Sequence, residues 1–147
     1  MALPRYDEKI RWPLWLWFFF AFLLGSLSLA VWAALGTTPA TEVSLVELAL
    51  LIVFYIKSAL ILRVNDGWLF AGRAKIETRF IANVIELDGA ELRTVRGPHA
   101  DPASFLAIRF WVTKGLKLEI DDPRDSTPYW LISTRHPEKM ASALRQS

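Results

Sequence analysis

The chain has 147 residues, of which 53% are hydrophobic, and its 17 Lys and Arg residues nearly balance its 15 Asp and Glu residues. Because basic and acidic residues alternate rather than cluster, the charge pattern argues against a nucleic-acid partner. The absence of cysteine excludes disulfides and thiolate metal sites. The apolar residues are concentrated in the first 62 positions, so one half of the chain suits lipid and the other half suits water.

The chain begins with a charged arm, residues 1–13, and continues with an uncharged stretch, residues 14–35. At ~1.5 Å per residue a helix of that length spans about 33 Å, enough to cross a hydrocarbon core of about 30 Å. Tryptophans mark its two ends, as is typical of lipid–water boundaries: Trp12, Trp15 and Trp17 at one end and Trp32 at the other. A cleaved signal peptide is the alternative, but its apolar part is only about 7–15 residues long. We therefore predict a transmembrane helix at 14–35.

A second transmembrane helix is predicted at 39–62, after a short outer loop at 36–38, with its inner end merging into the first strand of the next domain. Thr38 followed by Pro39 is typical of an N-cap and a first helical position. Short loops rich in Lys and Arg stay in the cytoplasm, and here basic residues flank the two spans while the connecting loop has none. We expect a protein of the cell membrane with both termini in the cytoplasm.

Two charges interrupt the second span. Lys57 lies near the inner end, where a long side chain can extend toward the headgroups. Glu47 lies inside the span, and an intramembrane carboxylate is a candidate functional site. In an antiparallel hairpin residue 47 lies level with residue 28, so we predict that Glu47 is hydrogen-bonded to, or protonated against, Ser28, with the Trp32 indole as a second donor. The alternative is that Glu47 faces the outer headgroups.

Residues 63–147 predict a cytoplasmic, mostly β domain, because apolar residues alternate and turn residues recur at short intervals. The predicted elements are a hairpin around Asn65-Asp66-Gly67, one or two strands within 74–87, a β pair between 106–112 and 116–120, a last strand at 129–134 and a helix from Pro137. Such an order predicts a small bent sheet or barrel whose open end the C-terminal helix closes. It resembles the pleckstrin-homology-like domains found behind paired spans in bacterial membrane proteins.

No residue pattern indicates catalysis, so we expect no enzyme, no cofactor and no metal site. Asp121, Asp122 and Asp125 lack the spacing of an EF-hand loop. His99 and His136 are isolated, and no serine lies in a Gly-x-Ser-x-Gly context.

Two sets of residues remain as candidate binding sites. The candidate contacts to lipid headgroups are Arg63, Arg73, Lys75 and Arg79. They follow the second span, and each basic residue near an anionic leaflet contributes about 1 kcal/mol. Large aromatic residues in a small β domain are more often core residues. Alternation along a strand nevertheless directs Tyr129 and Trp130 to opposite faces, so they are the candidate interface residues if one ring lies outside.

Two segments and the Trp-rich first span resemble a known family. The segments are Arg96-Gly97-Pro98-His99-Ala100-Asp101 and the stretch from Ser126 to Arg135 followed by Pro137-Glu138. They look like the actinobacterial membrane family catalogued as domain of unknown function 3093, over nearly the whole chain. The resemblance implies a two-span membrane topology and brings no established activity.

These features favour three functions. The leading hypothesis is a non-enzymatic accessory protein that is anchored in the membrane and assembles with other membrane proteins or as a homo-oligomer. The second is recognition of anionic lipid headgroups by the cytoplasmic domain. The third is an ion or proton relay in an oligomer that uses Glu47.

Overall fold

The computed structural model describes residues 5–97 and 100–146. In chain order its elements are β1 (Tyr6–Ile10), α1 (Leu14–Leu35), α2 (Thr37–Ser58), β2 (Leu60–Asn65), β3 (Trp68–Ala71), β4 (Ala74–Glu77), a 3₁₀ turn (Thr78–Phe80), β5 (Ile81–Leu87), α3 (Gly89–Arg96), β6 (Phe105–Ala107), β7 (Gly115–Ile120), β8 (Tyr129–Ser133) and α4 (Pro137–Arg145). They form two compact units: a helical unit, Arg11–Ala59, and a β unit that combines the N-terminal strand with the chain from Leu60 onward.

The helical unit is an antiparallel pair of 22-residue helices, each long and apolar enough to cross a membrane. The chain reverses at Gly36, whose positive φ of 87° suits a residue without Cβ. The second helix begins earlier than predicted and ends inside the stretch where it was predicted to merge into the first strand. Gly36, not Thr38, occupies its N-cap position, and it ends at Ser58 because Leu60 already pairs in a sheet.

An aromatic cluster joins the start of α1 to the end of α2. The Trp12 ring is buried and lies 5.0 Å from the ring of Phe20 and 5.5 Å from that of Phe54. Trp17 lies 4.9 Å from Tyr55. Two of the tryptophans predicted to mark a lipid boundary therefore also hold the two helices together.

The first sheet has the order β1-β2-β3-β4 and is antiparallel throughout. Its edge strand, β1, lies in the segment predicted to be only a charged arm. Tyr6 pairs with Val64 and Ile10 pairs with Leu60, and both Tyr6 and Ile10 are buried. The predicted hairpin between β2 and β3 is confirmed, with positive φ at Asp66 and Gly67 as in a type I′ turn.

The second sheet has the order β5-β7-β8-β6. The predicted β pair between 106–112 and 116–120 is wrong: β6 covers only Phe105–Ala107 and runs parallel to β8, while β7 lies between β5 and β8. The chain leaves the sheet after Ala107, and the Arg109 amide instead donates to the Ser133 hydroxyl at 3.0 Å. Alternation alone could not distinguish these two outcomes.

Both sheets and α4 share one hydrophobic core, whose fully buried members include Ile10, Leu62, Leu118 and Met140. The sequence did not predict α3, although Asp88 and Glu91 form a capping box at its start. The structure confirms a mostly β unit with a C-terminal helix. Its strands form two four-stranded sheets, and the likeness to pleckstrin-homology domains stays a prediction.

Candidate functional site

A polar cluster lies between the two long helices. Ser28 Oγ on α1 is 2.8 Å from Glu47 Oε2 on α2 and also 2.8 Å from Ser44 Oγ. The Ser44 hydroxyl lies 2.8 Å from the carbonyl oxygen of Ala40, one turn earlier in its own helix. The contact between residues 28 and 47 is the one that the hairpin register predicted, whereas Ser44 was not predicted to take part.

Glu47 lies at the middle of its helix. Residue 47 is nearly equidistant from the helix ends at Thr37 and Ser58, which places about 15 Å of helix on either side at ~1.5 Å per residue. The predicted span of 39–62 had placed it closer to the outer end. The alternative in which Glu47 faces the outer headgroups stays a prediction.

The second predicted partner of Glu47, Trp32, is not its donor. Glu47 Oε1 is buried and accepts no hydrogen bond from any residue that the structure describes. Trp32 lies one turn farther along α1 than Ser28, and its side chain is 55% exposed. The hydroxyl of Ser44 belongs to the cluster through its contact with Ser28.

An open apolar groove runs along one side of the helical pair, with a volume of about 490 Å³. Phe20, Leu24, Leu51 and Phe54 are among the apolar side chains that line it, and Glu47 and Lys57 line it as well. Lys57 lies in the last turn of α2. Within residues 5–97 and 100–146 it forms no ion pair.

Three of the four candidate headgroup residues have partners within the β unit. Arg63 forms an ion pair with Asp7 at 2.9 Å, directly across the β1–β2 ladder. Arg79 pairs with Glu77 at 2.7 Å, and the Lys75 ammonium lies 5.1 Å from the Trp68 ring. The fourth residue, Arg73, lies in the tight turn between β3 and β4, beside the start of β2.

Neither candidate interface residue is exposed. Tyr129 is 8% and Trp130 is 6% exposed, because the two faces of β8 pack against two different parts of the core. The Tyr129 hydroxyl accepts a hydrogen bond from the Asp101 amide at 2.9 Å, and the Trp130 ring packs 4.4 Å from Phe105. Both residues are therefore core residues, as is usual for large aromatics in a small β domain, and the alternative of one exposed ring is wrong. Elsewhere in the β unit, the ring of Phe110 is 62% exposed.

Phe110 borders a cleft of about 260 Å³ beside α3. Leu92 and Val112 form its apolar floor, and Arg93 and Arg96 lie on its rim. The lining contains two guanidinium groups and no carboxylate. Sequence reasoning missed this cleft because it placed Phe110 in a strand and did not predict α3.

A second polar cluster fastens β1 to the end of β8. The Tyr6 hydroxyl donates to Glu8 Oε2 at 2.6 Å, and Thr134 Oγ1 donates to the same oxygen at 2.6 Å. The Arg135 amide donates to Glu8 Oε1 at 3.2 Å. Burial, and then the Glu8 carboxylate, raise the pKa of Tyr6 above its usual range. The cluster therefore holds a neutral phenol against a carboxylate.

A family model described as "Protein of unknown function (DUF3093)" matches residues 5–144. The chain belongs to this family. The match confirms the resemblance to domain of unknown function 3093. Searches of curated proteins and of solved structures gave no match.

The two motifs of this DUF3093 protein occupy different surroundings. Arg96 closes α3 on the rim of the cleft, while Pro98 and His99 lie outside the described residues. The second motif contains β8, which is buried at every position. That motif is therefore explained by packing, and only the Arg96 end of the first motif lies at a candidate binding surface.

The acidic turn after β7 shows no arrangement for a metal ion. Across the described parts of the chain, no three His, Asp or Glu side chains converge as ligands. Asp122 accepts hydrogen bonds from the Arg124 amide and guanidinium, which lower the pKa of that carboxyl. The turn residues thus bond to their own loop.

Proposed function

We propose that this DUF3093 protein is an integral membrane protein whose helical hairpin crosses the bilayer twice and carries a β unit in the cytoplasm. The observation that carries this proposal is the exposure of the hairpin. In the most apolar stretch of α1 no residue is buried within the protein, and in that of α2 only 6% are. A core helix of a soluble protein would be covered by other elements, whereas lipid covers these side chains here.

The connections of the hairpin support a topology in which both of its ends lie on the same side of the bilayer. The chain enters α1 from β1 and leaves α2 into β2, and these two strands are hydrogen-bonded neighbours in one sheet. A paired sheet cannot be divided by a bilayer, so the two ends of the hairpin lie on one side of it. The basic residues Lys9, Arg11 and Lys57 near those ends favour the cytoplasmic side.

Single-cysteine labelling tests this topology, because the natural chain has no cysteine that would react. Thr38→Cys lies in the first turn of α2 and Ser126→Cys lies in an exposed loop of the β unit. We expect a membrane-impermeant maleimide to label the first variant in intact cells and the second only after permeabilisation. Labelling of both variants in intact cells, or extraction of the protein by alkaline carbonate, would refute insertion.

The second part of the proposal is that the β unit acts as a non-enzymatic binding module for a protein partner. The cleft beside α3 supports this role, because an exposed Phe110 lies next to Arg93 and Arg96. Aromatic and arginine side chains are enriched at interfaces, where they act as anchors. The charge of the rim favours an acidic partner segment that presents an apolar side chain to Phe110.

A photo-crosslinking residue at position 110 in native membranes tests the binding role. We expect a partner that is lost when Arg96→Glu reverses the charge of the rim and when salt is raised. Leu106 provides a matched control, since it is also exposed, at 47%, but does not line the cleft. A crosslink that is equally strong from position 106, or that is insensitive to Arg96→Glu, would contradict this use of the cleft.

The other two hypotheses have less support. A lipid headgroup would have to displace Asp7 from Arg63 and Glu77 from Arg79, which leaves Arg73 as the most available of the four basic residues. An ion or proton relay needs a path through the bilayer, whereas the polar cluster at Glu47 ends at the backbone carbonyl of Ala40. The ion pairs of the basic residues therefore do not favour headgroup binding over a binding module, and the polar cluster at Glu47 does not favour a relay.

A further inference from the structure

We propose that Glu47 is a neutral carboxylic acid whose hydroxyl group begins a hydrogen-bond chain that clamps the two transmembrane helices together. The chain runs from Glu47 Oε2 to Ser28 Oγ, then to Ser44 Oγ, and ends at the carbonyl oxygen of Ala40. It crosses from α2 to α1 and back. This inference rests on the membrane insertion proposed above and adds the chemical state of the one carboxyl group at the middle of the hairpin.

The number of available hydrogen atoms indicates that Glu47 is protonated. The chain contains three oxygen–oxygen contacts, each 2.8 Å long, between Glu47 and Ser28, between Ser28 and Ser44, and between Ser44 and the Ala40 carbonyl. Each contact in an open chain of this kind needs one hydrogen atom, but the two serine hydroxyls supply only two. The contact between Tyr6 and Thr134 differs, because both of those hydroxyls donate to one Glu8 oxygen, which brings them together. With an ionised Glu47, one pair of oxygen atoms would stand 2.8 Å apart with no hydrogen between them. A protonated Glu47 supplies the third hydrogen.

The direction of each bond then follows from the end of the chain. The Ala40 carbonyl can only accept, so the Ser44 hydroxyl donates to it, as serine commonly does to the residue one turn earlier in a helix. Ser44 therefore accepts from Ser28, and Ser28 accepts from Glu47. Only the carboxylic acid form of Glu47 can donate to Ser28 in this order.

The surroundings of Glu47 favour the same form. A carboxylate at the middle of a span would have at most one donor, Ser28, because Oε1 accepts no hydrogen bond within the described residues. Lys57, the basic residue that also lines the groove, is three helical turns away near the end of α2. An uncharged acid leaves a single unbonded carbonyl oxygen, which costs far less in an apolar medium than an unpaired charge.

The hydrogen-bond chain gives Glu47 a structural role, although a carboxyl group inside a span also suggests transport. Each end of the chain is a group of α2, and Ser28 of α1 is held between them. A fixed chain that ends on a backbone carbonyl offers no onward acceptor for a proton. Glu47 is thus a positioning residue that fixes the register of α1 against α2 near the middle of the bilayer.

Infrared spectroscopy of the full-length protein in lipid bilayers at neutral pH tests the protonation state. We expect a carbonyl stretch of a protonated carboxylic acid that shifts in D₂O and shifts again when glutamate is labelled with ¹³C. Glu47→Gln should remove this band. Glu42→Gln, which replaces an exposed glutamate of the same helix, should leave it unchanged. Ser28→Ala should move the band to higher frequency, because the acid loses its acceptor.

Absence of the acid band in the wild-type protein, or its persistence in Glu47→Gln, would overturn the inference. If Glu47→Gln does not fold, the ¹³C shift and the effect of Ser28→Ala on the wild-type band still decide it. The cysteine labelling described above separates this result from the proposed topology. A protein that is inserted as expected but lacks the acid band would remove only the clamp, whereas failed labelling would remove the membrane topology itself.

Discussion

The hydroxyl group of Tyr6 is a sensitive point of the β unit, because it links the N-terminal strand to the far end of the chain. Tyr6→Phe keeps the buried ring but removes the donor to Glu8 Oε2 at 2.6 Å and the contact to Thr134 Oγ1 at 2.9 Å. A hydrogen bond to a charged group contributes about 1.5–3 kcal/mol. We expect the free energy of opening β1 from the sheet to fall by that amount. The equilibrium constant for opening then rises by about 10- to 140-fold.

Hydrogen–deuterium exchange of the full chain in detergent measures this change locally. The amides of β1 should exchange faster in Tyr6→Phe by that factor, with a smaller effect on β5 in the other sheet. Tyr55→Phe is the matched control, since that hydroxyl forms no hydrogen bond with the described residues while its ring packs on Trp17. Exchange of β1 within twofold of the wild-type rate would refute the importance assigned to the Tyr6–Glu8 contact.

Three further predictions concern the β unit. Because the pKa of Tyr6 is raised, its contribution to the stability of the fold is fully present below the unfolded-state pKa of about 10 and is lost as pH rises above it. The free energy of unfolding should therefore fall in alkaline solution, and Tyr6→Phe should not show this fall. Hydrogen bonds from the amides of Glu91 and Ala90 lower the pKa of Asp88, so its stabilisation of α3 is present above the unfolded-state value and is lost as pH falls through the folded one. The protection of the α3 amides relative to their intrinsic exchange rates should fall in acid, and Asp88→Ala should remove that acid sensitivity. Gly115→Ala would place a Cβ 2.5 Å from the Ile132 carbonyl oxygen, so the backbones of β7 and β8 must separate. We expect the free energy of unfolding to fall by about 1–3 kcal/mol. An unchanged urea midpoint would contradict this.

The helical hairpin and most strands were readable from the sequence, because their signals are local. A charge-free stretch defines α1, and the Asn65-Asp66-Gly67 turn defines the β2–β3 hairpin. The strand β1 has no comparable signal, since only Tyr6 and Ile10 are apolar in its five residues. Its partner, β2, lies more than 50 residues later in the chain. Periodicity cannot reveal such a pairing.

The candidate sites also differ in whether a local sequence signal predicts them. The contact between Ser28 and Glu47 was predictable because a short link fixes the register of two helices. Ser44 lies three residues before Glu47 on the same helix face and could have been included by the same reasoning. The cleft at Phe110 was not predictable, because it depends on where the chain leaves the second sheet and on the placement of α3.

The location of β1 at the outside of its sheet has a consequence for biosynthesis. During translation, residues 6–10 are made first but have no partner until residues 60–65 leave the ribosome, after both apolar helices. In the proposed topology, both membrane-spanning helices are therefore synthesised before the β unit can be completed. A fragment that starts at residue 60 would expose the backbone hydrogen-bonding groups of β2, and such an open edge recruits strands from other molecules. Production of the β unit for solution work should consequently retain the first ten residues, joined by a linker to residue 60.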